Sequence, residues 1–157
     1  MTQDEAKPHI YDMIRNISVP LSDSDYSLMK VAEGFAALQF EQGYTQVVAV
    51  GVDNTGEVHT EIQVDQLSGK NNVCAEQFLV AKVRKLHRKL VVAAAWRHQI
   101  GIANPCAGCA EGYFHHYPDM HVIVWAADER RKIPIRGMVP IPFKKRPPSI
   151  KTNGSDW

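Results

Sequence analysis

The chain contains three cysteines, and they fall in two short motifs: Cys74-Ala75-Glu76 and Pro105-Cys106-Ala107-Gly108-Cys109. Each motif follows an extended segment and opens a stretch of helical periodicity. A helix start leaves backbone N–H groups unpaired and carries partial positive charge, which draws a cysteine there toward thiolate, the form that binds metal. Cys106 and Cys109 are three positions apart, so on one helical turn both sulfurs can point the same way. With Cys74 they supply three sulfur donors, the number a catalytic zinc ion uses when its fourth position is kept for water. Glu76 stands two residues beyond the first donor, near the metal without having to bind it, which is the place of a general acid/base.

Other chemistry uses the same residue types. Cys-x-x-Cys is shared by redox pairs and structural zinc sites, and a free cysteine also serves as a small buried hydrophobe. A structural zinc would need a fourth ligand, for which His98, His115 and His116 are candidates.

The elements that must hold these residues can be read from pattern. Ser22-Asp23-Ser24-Asp25 offers capping side chains to a packing helix that carries Leu28, Val31, Ala32, Phe35 and Leu38 and ends near Gly43. Gln46 to Val52 is an apolar run suited to a buried strand. Asp53-Asn54-Thr55-Gly56 has turn chemistry, and Glu57 to Val64 alternates like a second strand of a hairpin leading to the site. The helix from Cys74 sets Phe78, Leu79, Val83, Leu86 and Leu90 on one side, while Lys82, Arg84, Lys85, Arg88 and Lys89 fill a solvated basic face. Leu90 to Trp96 is another strand, and Gly101 to Asn104 is a loop. Pro105 suits the first turn of a short helix that runs to Tyr117. His121 to Trp125 is a further strand, followed by a charged turn from Asp128 to Lys132. This alternation predicts a layered α/β domain, a three-layer α/β/α sandwich around a mixed sheet.

Cys-Ala-Glu followed by Pro-Cys-x-x-Cys resembles the zinc-dependent cytidine deaminase superfamily in its three-cysteine branch, which includes cytidine deaminase and blasticidin S deaminase. The resemblance runs from about Gln46 to Phe143. It implies Zn²⁺ held by Cys74, Cys106 and Cys109, with Glu76 as the catalytic proton carrier and backbone N–H groups near Ala75 holding the tetrahedral centre. The reaction it implies is hydrolytic deamination of a cytosine-type aminopyrimidine nucleoside (cytidine, deoxycytidine or a modified nucleoside such as blasticidin S) to the uracil form, releasing ammonia. Members place an Asn-x-Glu pair ahead of the first cysteine to hold sugar hydroxyls; Gln63-Val64-Asp65 occupies that spacing, each polar residue trading one methylene. The family's phenylalanine near the first strand is missing. Gln77 stands where many members have arginine, so compensation of the thiolate charge falls to the two helix dipoles and Arg97. Gly137 to Phe143 resembles a Leu-Leu-Pro-x-x-Phe segment. By that likeness Phe143 packs on the base in a neighbouring subunit, and the protein is a homo-oligomer, a tetramer or dimer.

A chain of 157 residues fits one domain with a sizeable core. Its 18 basic and 17 acidic residues leave a net charge of +1, so no global field favours nucleic acid. No apolar leader or membrane-length run is present, and free thiols suit a reducing, cytoplasmic setting. The expected organisation is an N-terminal arm (1–20), a deaminase-like domain (21–143) and a flexible basic tail (144–157). Two readings from other classes stand beside the nucleoside deaminase. One is a single-stranded nucleic-acid cytosine deaminase using the basic helix and tail; the other is a non-catalytic zinc-binding module.

Overall fold

The computed structural model describes residues 3–66 and 72–139. Helices α1 (Gln3–Ile17) and α2 (Asp23–Glu41) come first, followed by strands β1 (Val47–Asp53) and β2 (Val58–Ile62). Helix α3 (Ala75–Lys85), strands β3 (Leu90–Arg97) and β4 (Gly101–Ala103) and helix α4 (Ala107–His116) form the middle of the chain. Strands β5 (His121–Ala126) and β6 (Glu129–Pro134) and the short α5 (Ile135–Met138) complete it. The strands lie in the order β2-β1-β3-β5-β6, with β4 added to β3. Only the β3–β5 pairing is parallel, so the sheet is mixed.

Helices cover both faces, as the alternation predicts. On one face Leu28, Met29, Ala32 and Ala36 of α2 pack on Val48, Val50, Val92, Ala94, Trp96 and Ile123. On the other, Leu79 and Val83 of α3 and Tyr113 of α4 pack on Ala49, Ala93, Val122 and Val124. Successive strand residues point to opposite faces, which is why β1 up to Val52 and β3 up to Trp96 carry no polar side chain: each serves two cores. Ser22 caps α2 in a reciprocal box with Asp25, and Lys132 on β6 reaches the same carboxylate at 2.9 Å. Gly43, at φ 76°, ends this helix in the left-handed conformation that glycine adopts at least cost.

Helix α3, which carries the first motif, is fixed at both ends. Its start is joined to the β2 strand by the bridge between Val64 and Val73, with both backbone hydrogen bonds at 3.0 Å. Beyond its C-terminus Arg88 meets buried Asp53 at 2.9 Å and pairs with Glu57. Asp53 also accepts from the Thr55 backbone and hydroxyl, the Glu57 N–H and the His59 ring. Burial alone would push this carboxyl up, but those donors, Thr55 foremost, hold it well below the usual carboxylate range.

Several local readings change. Gly101 to Ala103 is not a loop but strand β4, folded back on β3 through a turn with Gln99 and Gly101 at positive φ. Glu129 to Lys132 belongs to β6 rather than to a turn. The reversal is confined to Ala127 and Asp128, both at positive φ, the backbone of a two-residue hairpin loop. Pro105 precedes the N-cap, Cys106, instead of entering the helix. In the N-terminal arm, where the sequence allows a short helix around His9 to Ile17, the helix is longer: α1 begins at Gln3, its Ile14 packs against the core and its Ile17 reaches Gly137 of α5. Phe143 and the basic tail lie outside the described residues.

Candidate metal centre and substrate cavity

Cys74 is the N-cap of α3 and Cys106 the N-cap of α4; Cys109 is three residues into that second helix start. The topology sets these two helix starts side by side, and the sulfurs of Cys74, Cys106 and Cys109 all lie within 4.8 Å of one another. Sulfurs arranged tetrahedrally about zinc at ~2.3 Å would sit about 3.8 Å apart, so small side-chain adjustments suffice to close on an ion. Cys109 is buried, Cys74 half-buried and Cys106 exposed, which leaves an approach from solvent. The donor set fits a thiophilic divalent ion such as Zn²⁺.

The electrostatics of the three thiols point the same way. Burial pushes the Cys74 thiol up, and burial followed by the charge of Glu76 pushes Cys109 far above the usual thiol range. Only Cys106 is drawn down, chiefly by the Cys109 N–H at the start of α4. Three thiolates crowded beside a carboxylate are thus not self-sufficient; a divalent cation would supply the missing positive charge.

Glu76 sits in the first turn of α3 and is 7 % exposed. Burial raises its carboxyl above the ordinary range, against a smaller lowering by its backbone hydrogen bond. A carboxyl that is easily protonated beside a metal-binding group is suited to accept a proton and return it. Glu76 and Cys109 share a cavity of about 310 Å³ between α3 and α4, with Val80 and His116 on its walls.

The candidate fourth ligands are engaged elsewhere. His98 stacks on Phe40 at 4.6 Å, and His116 contacts the rings of His115 and Tyr117 and the guanidinium of Arg84. Among the described residues no histidine or carboxylate joins the three sulfurs within their 4.8 Å grouping.

Gln63 and Asp65 line a second cavity of about 670 Å³, together with Tyr44, Thr45, Val47 and Arg97. The antiparallel Val64–Val73 bridge joins the segment carrying Gln63 and Asp65 to the one that leads into Cys74, and Asn72 on that second segment donates to Asp65. Asp65 accepts from Gln63 at 2.6 Å, Thr45 at 3.0 Å and Asn72 at 3.2 Å. Arg97 lines this cavity, with Gln46 as a side-chain partner at 3.5 Å. Ala75 is fully buried at the first turn of α3, between Cys74 and Glu76. Of the basic helix face, Lys82 pairs with Glu61 at 3.0 Å, while Arg84 and Arg88 are held by His116 and by Asp53 with Glu57. That leaves little of it for a phosphate backbone.

Two residues near the centre escaped sequence reasoning. Asn104 accepts from the Trp125 N–H and donates to its carbonyl, both at 2.8 Å, which fixes the loop that delivers Pro105 and Cys106. An isolated Asn before Pro carries no signal of that role. Tyr113, one helical turn after Cys109, is 1 % exposed, and its hydroxyl has no hydrogen-bond partner among the described residues. Burial and then the charge of Glu76 drive its ionisation far upward, so it is a neutral phenol at the floor of the site.

No protein-family model matches the chain. Blasticidin-S deaminase of Bacillus cereus is 23% identical to it over 134 residues, covering 80% of this chain and 96% of that protein. The structure of cytidine deaminase from Mycobacterium tuberculosis superposes with a TM-score of 0.60 at 19% identity, over 77% of this chain and 98% of the other. Cytidine deaminase from Bacillus anthracis gives a TM-score of 0.59 at 18% identity, over 73% and 86%. The fold is thus shared with cytidine deaminases. Among the described residues no helix is long and apolar enough to cross a membrane.

Proposed function

We propose that this chain, which belongs to the cytidine deaminase superfamily, is a zinc-dependent hydrolytic deaminase of a cytosine-type nucleoside. The observation that carries the reading is the group of three sulfurs at two helix starts, without a fourth protein ligand among the described residues and with buried Glu76 beside it. Cys74, Cys106 and Cys109 would hold the ion. Bound zinc supplies a Lewis acid that makes water acidic and nucleophilic at neutral pH.

The chain's own residues account for the rest. Glu76 takes a proton from the attacking water and delivers it to ring nitrogen N3, so that C4 accepts the oxygen. The second proton of that water passes through Glu76 to the amino group. The C4–N bond then breaks with its electron pair leaving on ammonia, and C4 becomes a carbonyl. The backbone N–H at Ala75 stabilises the tetrahedral centre. Gln63 and Asp65, on the segment bridged to the one entering Cys74, take the sugar by exchanging hydrogen bonds they make with each other and with Thr45 and Asn72. Phe143 closes over the base from a second subunit in a homo-oligomer, and the protein works in the cytoplasm.

The test is ammonia release from a panel of cytosine nucleosides by zinc-loaded protein and its Glu76→Gln variant. The variant should keep its zinc and its thermal transition while turnover falls by about 10²-fold or more, the usual worth of a positioned acid/base. Equal turnover in the two proteins would remove Glu76 from the chemistry and with it the reading.

A further inference from the structure

Among the described residues two buried side-chain polar atoms have no hydrogen-bond partner, and one of them is the hydroxyl of Tyr113. An unpaired donor in a core is costly, so its surroundings decide what it is for. Tyr113 is 1 % exposed and sits on α4 four residues after Cys109. Helical side chains lean back over the turn that precedes them, which directs the Tyr113 ring along α4 toward Cys109 and the helix start. It belongs to the core cluster that also holds Ala75 and Leu79 of α3 and Ala110 of α4. The charges that weigh on the phenol are those of Glu76, Cys109 and Cys74, in that order, so the hydroxyl faces the sulfurs and the carboxylate. The sulfurs themselves are unequally supplied with donors. Cys106 receives the N–H groups of Cys109 and Gly108. The leading influences on buried Cys109 all run upward, burial first, with no N–H donor among them.

We infer that Tyr113 is a positioning residue of the metal centre: its hydroxyl donates a hydrogen bond to the Cys109 sulfur when that sulfur binds the ion. The inference rests on the three-sulfur reading above and adds a donor that holds one of the ligands. A protonated thiol is a weak acceptor, whereas a metal-bound sulfur is a thiolate and accepts strongly. Loading the metal thus gives the buried hydroxyl the acceptor it lacks. The hydrogen bond in turn draws charge away from a centre where three thiolates outweigh one divalent ion. No lysine or arginine is among the groups that weigh most on the three thiols, so a neutral donor at the buried sulfur has this task without a competing cation. Partners of this kind fix a ligand's orientation and tune how strongly it binds.

The test compares the full-length parent with Tyr113→Phe, and with Tyr117→Phe as a control from the same helix, whose hydroxyl already has the Val80 carbonyl as acceptor at 3.3 Å. Zinc affinity is measured by competition against a chromogenic chelator, and the sulfur-to-metal charge-transfer band by absorption of the cobalt-loaded proteins. Tyr113→Phe should weaken zinc binding about 10-fold or more, the usual cost of losing the partner of a metal ligand. It should also move the cobalt band to longer wavelength, because a sulfur without its donor gives up charge more easily. The thermal midpoint of its metal-free form should not fall below the parent's, since the change removes an unpaired donor and keeps the ring. Tyr117→Phe should do the reverse, lowering the midpoint while zinc affinity and cobalt band stay with the parent. Unchanged zinc affinity or an unmoved cobalt band in Tyr113→Phe overturns the inference. So does a loss of affinity matched by a lower metal-free midpoint or a failure to fold, because packing then accounts for it. If the parent takes up neither zinc nor cobalt, the three-sulfur reading fails as well; a parent that binds both, matched by Tyr113→Phe, sinks the hydroxyl's role alone.

Discussion

Gly51 on β1 decides how closely α3 approaches the sheet. A Cβ built on it would lie 2.7 Å from Cδ2 of Leu90, 3.1 Å from Cδ2 of Leu79 and 3.2 Å from the carbonyl oxygen of Val92. Both leucines are buried, at 3 % and 0 % exposure, and the carbonyl belongs to the neighbouring strand, so neither swings aside freely. Gly51→Ala must therefore lift α3 or bend β1. Overpacking of this kind costs about 1–3 kcal/mol, and for a domain of this size that lowers the melting temperature by roughly 2–12 °C. The displaced helix carries Cys74 and Glu76, while Cys106 and Cys109 ride on α4. Zinc affinity should fall together with stability, and Leu79→Val in the same protein should recover part of the loss. Differential scanning calorimetry and competition for zinc against a chromogenic chelator measure the two effects. A melting temperature within a degree of the parent, with unchanged zinc affinity, would refute the claim that contact at Gly51 sets the position of the site.

Two further outcomes follow from the same geometry. Cys109→Ser should reduce zinc from about one per chain in the parent to a small fraction by elemental analysis, and chelation, which should lower the parent's thermal stability, should leave that of the variant unchanged; full zinc content in the variant would exclude Cys109 as a ligand. Asp53, whose folded-state acidity is strengthened by Thr55, His59 and Arg88 against the opposing effect of burial, stabilises the fold above its unfolded pKa of about 3.9, and that stability is lost as pH falls. Asp53→Asn should accordingly flatten the acid limb of the stability–pH curve below about pH 5, and parallel curves for the two proteins would contradict the assignment.

What could be read from the residues was whatever local chemistry dictates. Helix starts at Cys74 and Cys106, the cap at Ser22 and the apolar runs of β1, β3 and β5 follow from capping preference and periodicity, and together they set the three sulfurs on adjacent helix starts. The misreadings concern backbone conformations for which the sequence carries no marker. Ala127-Asp128 makes a two-residue hairpin loop without the Asn-Gly that usually signals one, so the charged residues of β6 read as turn. β4 is three residues long, too short for alternation to register, and exists because β3 offers it an edge. Asn104 and Arg97 draw their meaning from partners far along the chain or across a cavity, and one-dimensional pattern cannot supply those.

Gln63 and Asp65 show how a difference of one methylene each becomes a difference of arrangement. In the sequence the pair reads as the family's sugar clamp with altered reach. In the fold the Gln63 amide turns back to donate to Asp65 at 2.6 Å, and Thr45 and Asn72 donate as well. A carboxylate offers about four lone-pair directions, so little of Asp65 is left for a sugar hydroxyl without displacing one of its own donors. Each displacement exchanges one hydrogen bond for another and gains little net free energy.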